Sequence, residues 1–263
     1  MTRRFFRLVA RQVSVQYRVR TFNLYSLLLY FLQPAIFSGV GIILSHAAGR
    51  ETPDLVYTVL GGGMLGMWSG LVFSSTFDIN RDRRDGMLEI IVGSPTSLWK
   101  VEGIRTFANV MAGLVSMLGA LLVAVLVYHY SFSSVNLPGA LISLLLLLLA
   151  LWCIGVFLAN FLVWSRLSGT MVDFLELPVA VLCGFMYPIS VLPAWMQAIS
   201  AALPIRWALQ ALNACLLGAS TTALLWRDWT LALGISLLFL WLAQCMSEKV
   251  HDLIRVSGEL NSI

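Results

Sequence analysis

Lys100 and Lys249 are the only lysines, and neither stands in a G-x-x-x-x-G-K-[ST] run, so no segment can cradle the phosphates of ATP as a P-loop does. The cysteines and histidines are no better placed for chemistry. Cys153, Cys183 and Cys245 fall inside long apolar stretches, Cys215 is expected in a loop segment, and no C-x-x-C spacing points to a disulfide framework or a zinc centre. His46, His129 and His251 fall in three separate loops, two expected on one side of a membrane and one on the other, which keeps them from converging on a metal. The spacings predict no catalytic residue, no metal site and no cofactor site.

Two other segments carry chemistry of contact rather than of reaction. The first, 78–100, reads Asp78-Ile79-Asn80-Arg81-Asp82-Arg83-Arg84-Asp85-Gly86-Met87-Leu88-Glu89-Ile90-Ile91-Val92-Gly93-Ser94-Pro95. Its charged stretch gives way at Met87 to a short apolar helix, which Gly93 and Pro95 end. Met87, Leu88, Ile90 and Ile91 cover most of that helix's circumference, so it either folds back on the chain's own spans or plugs into a groove on another protein. The second segment, 187–217, is punctuated by Pro188, Pro193 and Pro204, which cut it into pieces too short to cross a membrane alone. Within 205–225, Arg206, Gln210 and Asn213 line one side, which predicts an amphipathic helix rather than a further span.

The elements that must hold these segments are long and apolar. Stretches 24–45, 55–77, 104–128, 140–163, 174–192 and 229–246 approach or exceed the roughly 20 helical residues needed to cross a hydrocarbon core of about 30 Å. A composition of 59% apolar and 11% charged residues agrees, because no water-soluble core could hide so much apolar surface. The expected fold is therefore all-α and integral to the membrane, with six transmembrane helices and both termini on one face. Of the 17 Lys and Arg residues, all but Arg50, Arg206 and Arg227 fall on the side of the termini and of loop 78–100. The positive-inside rule then places that side in the cytoplasm. Anionic membrane lipids account for the basic excess, and no nucleic-acid partner is expected. Arginines before the first apolar run, with Ser45-His46-Ala47 after it, resemble a signal peptide, but the run is too long for one and is expected to be a retained anchor.

In the arm before the first span, Arg4, Arg7, Arg11 and Arg18 share one sector, while Phe5, Phe6, Val9, Val13 and Tyr17 cluster opposite. This predicts an amphipathic interfacial helix over 1–23, either a topological anchor or a lever on span one. Gly62, Gly66 and Gly70 form a stripe in span two that lets another helix approach closely, most commonly one of the same chain. Pro34 is expected to bend span one. No Asp, Glu, Lys or Arg stands near the middle of any span, which argues against a carrier driven by protons or ions. Trp99, Tyr128, Trp164 and Trp229 read as residues of the interfacial aromatic belt.

The run Arg84-Asp85-Gly86-Met87-Leu88-Glu89 followed by Gly93-Ser94-Pro95, just after span two, resembles the coupling-helix signature of ABC transporter permeases of the type-2 export class. Where the commonest version has threonine, this chain has Met87. Gly184-Phe185-Met186-Tyr187-Pro188, then Leu192-Pro193-Ala194-Trp195-Met196, then Leu203-Pro204, is similar to the family's short re-entrant outer helices before the last span. The resemblance extends over the whole chain in length, topology and N-terminal arm.

The resemblance implies a single transmembrane permease domain over 1–263, ending in a cytoplasmic tail at 247–263. It implies a half-exporter in a bacterial-type inner membrane, completed by a second permease chain, identical or related, and two copies of a separate ABC ATPase that binds ATP and Mg. Arg84, Asp85, Gly86, Met87, Leu88, Glu89, Ile90, Ile91 and Pro95 would meet that ATPase. Tyr187, Pro188, Pro193, Trp195, Pro204, Arg206 and Trp207 would form an outer gate. The expected cargo is an amphipathic drug, antibiotic or lipid-like molecule, with a lipid-linked polysaccharide second. The competing reading is a membrane scaffold or assembly factor that transports nothing.

Overall fold

The computed structural model describes residues 32, 35–37, 39, 59–72, 98–126, 136–165, 174, 176–218 and 221–257. The interfacial arm 1–23, most of span one, the coupling residues 84–91 with Pro95, and the last residues of the tail lie outside them. The elements in chain order are α1 (Val59–Val72), α2 (Leu98–Leu126), α3 (Leu137–Ser165), α4 (Glu176–Leu182), a 3-10 turn (Ile189–Val191), α5 (Ala194–Ala201), α6 (Pro204–Leu216) and α7 (Thr222–Ser257). Among the described residues there is no strand.

Three helices are long and apolar enough to cross a membrane: Lys100–Leu122, Leu137–Leu162 and Thr222–Glu248, with mean hydropathies of 1.4, 2.9 and 1.7. They expose Leu118, Leu126, Leu145, Leu238 and Trp241 over half or more of their surface. Scattered over three neighbouring helices, these side chains would be a liability in water and are the natural facing for lipid tails. The inward faces share one core, in which Trp68 and Met64 of α1, Leu147 and Leu151 of α3, and Ile205 and Leu209 of α6 are fully buried. α3 is the hub, packed against α2, α6 and α7.

Because lipid supplies no hydrogen bonds, polar side chains tie the helices together from within. Trp152 Nε1 donates to the Gly103 carbonyl at 2.8 Å, joining α3 to α2. Trp229 Nε1 donates to Ser143 Oγ at 2.9 Å, joining α7 to α3, so this tryptophan, expected in the interfacial belt, is engaged inside the bundle. Trp68 Nε1 donates to the Glu176 carbonyl at 3.2 Å and Ser69 Oγ donates to the Glu176 carboxylate, joining α1 to the start of α4. Near the start of α2, Arg105 forms an ion pair with Glu102 at 3.4 Å, with Glu102 buried.

The expected fifth span, 174–192, is corrected at its end: among the described residues within it the α-helix covers Glu176–Leu182 and does not continue to 192. Gly184 then adopts φ 64°, its N–H donates to the Val181 carbonyl and that of Phe185 to the Ala180 carbonyl, closing the helix in a left-handed cap that glycine accepts without a side-chain clash. Residues 183–192 thus belong to the turning segment, which begins before 187. The last helix starts at Thr222 rather than 229 and runs on to Ser257, so His251 and the first part of the tail are helical. Cys215, expected in a loop, is buried on α6.

Candidate functional site

The turning segment builds the site. After the cap at Gly184 the chain takes extended backbone at Pro188, makes one 3-10 turn, and starts α5 directly after Pro193, whose φ is −55°. Leu203 is extended, with φ −97° and ψ 122°, and Pro204 opens α6 as its first residue, where its missing N–H costs nothing and its ring holds φ ready for the helix. Each proline therefore marks a helix start.

α6 has two unlike faces. Ala208, Ala211, Leu212 and Cys215 are buried toward α3 and α7. Arg206, Gln210 and Asn213, spaced four and three residues apart, fall on the other face and border a cavity of about 300 Å³. Tyr187, Ser190 and Gln197 close it from the turning segment. Arg206 Nη1 donates to the Gln197 carbonyl at 2.8 Å, and Gln197 Nε2 donates to the Leu192 carbonyl at 2.7 Å, so α5 is pinned both to α6 and to the turn before it. Tyr187 donates its hydroxyl to the Val181 carbonyl at 2.9 Å, holding the turn against the end of α4.

A second layer steadies the arginine. Its guanidinium lies 4.6 Å from the centre of the Trp207 ring, a cation–π distance, and Trp207 Nε1 donates to the Ala201 carbonyl at 3.0 Å. Arg227 stands 5.5 Å from the same ring and pairs with Asp228 at 2.9 Å. Burial lowers the Arg206 pKa from its usual value, and the Asp228 carboxylate opposes that shift. Burial, and after it the neighbouring Cys183, raises the Tyr187 pKa above its usual value.

Two polar atoms at the cavity lack partners. Arg206 Nε and Asn213 Oδ1 are buried without a hydrogen bond, and Asn213 is 1% exposed. Such groups cost free energy unless water or a ligand completes them.

Of the residues expected in the gate, Tyr187, Pro188 and Arg206 border the cavity, Trp207 stacks behind it, and Pro193 and Pro204 set the helices that frame it. Trp195 is 65% exposed and stands apart. Gln197, Ser190 and Cys183 border the cavity but carried no signal in the sequence, since contacts between α5 and α6 follow from the fold of the turn. Gly62 and Gly66 are buried and Gly70 half-buried. Beside that stripe, a Cβ at Gly63 would stand 2.8 Å from the Cβ of Ala120, and one at Gly61 would run into the Phe185 carbonyl. Among the described residues no group of His, Cys, Asp and Glu is arranged to hold a metal ion.

Residues 3–217 match the family model described as ABC-2 type transporter. A search of curated proteins finds no match. The matched stretch runs from the N-terminal arm through the cavity to the end of α6, and α7 adds a further span-length apolar helix beyond it. With most of its length following that model and its lipid-facing helices built to suit, the chain belongs to the ABC-2 type transporter family, as a multi-pass membrane permease of an ABC transporter.

Proposed function

We propose that this permease is half of an ATP-driven exporter in a bacterial-type inner membrane, moving an amphipathic cargo, whether drug, antibiotic or lipid-like. Two copies of a separate ABC ATPase drive it, and a second permease chain, identical or related, completes the pathway. The observation that carries this reading is the proline-broken segment closing a polar cavity beside span-length apolar helices in a chain of this family. In the topology that puts both termini in the cytoplasm, the cavity opens at the outer end of the pathway. Tyr187, Arg206 and their supports then form the gate there. Loop 78–100 lies at the opposite end, where Met87, Leu88 and Ile91 enter a groove on the ATPase.

The test is made on the complex. Leu88→Asp places an unpaired charge in that contact while leaving membrane insertion intact, since the site lies outside the spans. It should lower ATPase association by on the order of a hundredfold or more. Copurification in mild detergent and ATP-dependent cargo movement in vesicles should fall together. Normal copurification and normal export by Leu88→Asp would exclude the coupling role.

A further inference from the structure

We propose that the cavity between α6 and the turning segment is a subsite for an anionic headgroup, a phosphate or carboxylate that carries a neighbouring hydroxyl. The inference rests on the reading of this segment as the exit side of the pathway. Three observations lead to it. Among the described residues Arg206 is the one charged residue bordering the cavity; the nearby Asp228 carboxylate is bonded by Arg227, and the Arg206 Nε–H is buried without an acceptor. A guanidinium held in place by the Gln197 carbonyl and the Trp207 ring presents that unused donor in a fixed direction, which suits an oxyanion. Asn213, 1% exposed on the same helix face, leaves Oδ1 without a donor, a need that a bare oxyanion cannot meet and a hydroxyl beside it can.

Size narrows the ligand further. Cavities that enclose drug-sized molecules span roughly 300–1,000 Å³. At about 300 Å³ this one lies at the lower limit, enough for a polar headgroup but not for a headgroup together with its acyl chains. The exposed apolar flanks of the neighbouring helices leave lipid-facing surface for such chains. A polyol phosphate or a hydroxy acid, free or as the head of an amphiphile, meets each requirement.

Binding is measured on the full chain in nanodiscs of zwitterionic lipid, with dihexanoyl phosphatidylglycerol as the probe and dihexanoyl phosphatidylcholine, which has the phosphate but no hydroxyl and no net charge, as the reference. The wild type should prefer the glycerol probe. Arg206→Gln should weaken it by about tenfold or more and leave the choline reference unchanged. Gln210→Leu, a second substitution on the cavity wall, keeps the test falsifiable should the arginine variant misfold. It should remain monodisperse and bind less tightly than the wild type. Competition by glycerol 1-phosphate as strong as the lipid's would identify a free anion as the natural ligand, whereas competition only by the chain-bearing probe would identify a lipid headgroup. Equal binding of both probes by the wild type, or undiminished binding by well-folded Arg206→Gln, would overturn the subsite. The gate is tested apart, by crosslinking cysteines introduced at Met186 and Ala194. Arrested export in the crosslinked protein together with failed probe binding would remove the subsite and keep the gate, and the reverse result would remove the gate.

Discussion

At the scale of single residues, Gly184 is constrained both by its backbone and by its surroundings. Its φ of 64° is one that a residue with a Cβ adopts at a cost of roughly 1–2 kcal/mol. A Cβ there would also meet Ile189 Cγ1 and the Tyr187 carbonyl oxygen at 2.8 Å. Gly184→Ala should therefore lower the melting temperature in detergent and disturb the turn carrying Tyr187. An unchanged melting curve would show that the cap does not depend on glycine. The importance of this residue was only partly legible: Gly184 stands in a recognisable motif, but which glycine takes the left-handed conformation depends on where α4 stops. Arg206, Gln210 and Asn213 were legible as one helix face because their spacing follows the helical period. Gln197 was not, because it reaches Arg206 through its backbone carbonyl, and a carbonyl has no residue type.

At the scale of elements, close packing of α1 depends on the absence of side chains at Gly61 and Gly63. Backbone cannot yield as a flexible side chain can, so Gly61→Ala should push α1 from the Phe185 carbonyl and destabilise the fold. Gly234 of α7 provides the control, since nothing stands within 4 Å of its absent Cβ. Gly234→Ala should be neutral or, by helix propensity, more stable by up to about 1 kcal/mol. Equal effects of the two substitutions in thermal unfolding would refute this account of the α1 contact. The sequence announced a small-residue face here through Gly62, Gly66 and Gly70, and their neighbours Gly61 and Gly63 closely approach Phe185 and Ala120. Periodicity reports that a helix has a smooth face, whereas the rotation of that face toward its partner is settled by packing.

At the scale of the whole molecule, orientation follows from charge. If both termini and loop 78–100 are cytoplasmic, cysteines placed at Arg83 and Arg255 in a background without Cys153, Cys183, Cys215 and Cys245 should resist an impermeant thiol reagent added outside. Cysteines at His129 and Thr221 should react. Labelling from outside at position 83 or 255 would sink the topology and with it the outer placement of the cavity. The same experiment bears on span five, where the described helix is confined to Glu176–Leu182 and the following residues share the cavity with α6.

What composition and pattern determine is the class of molecule: a membrane protein of long apolar helices, without the P-loop of an ATPase, broken by prolines near its end. These properties survive in the sequence because hydropathy, proline geometry and helical period act over a few neighbouring residues. Tertiary structure alone decided that α4 ends at Leu182, that Trp229 donates to Ser143 inside the bundle, and that α5 and α6 fold together around a cavity with Arg206 and Asn213 on its wall. Each of these depends on groups far apart in sequence whose meeting costs chain entropy and desolvation, and only the assembled packing repays it.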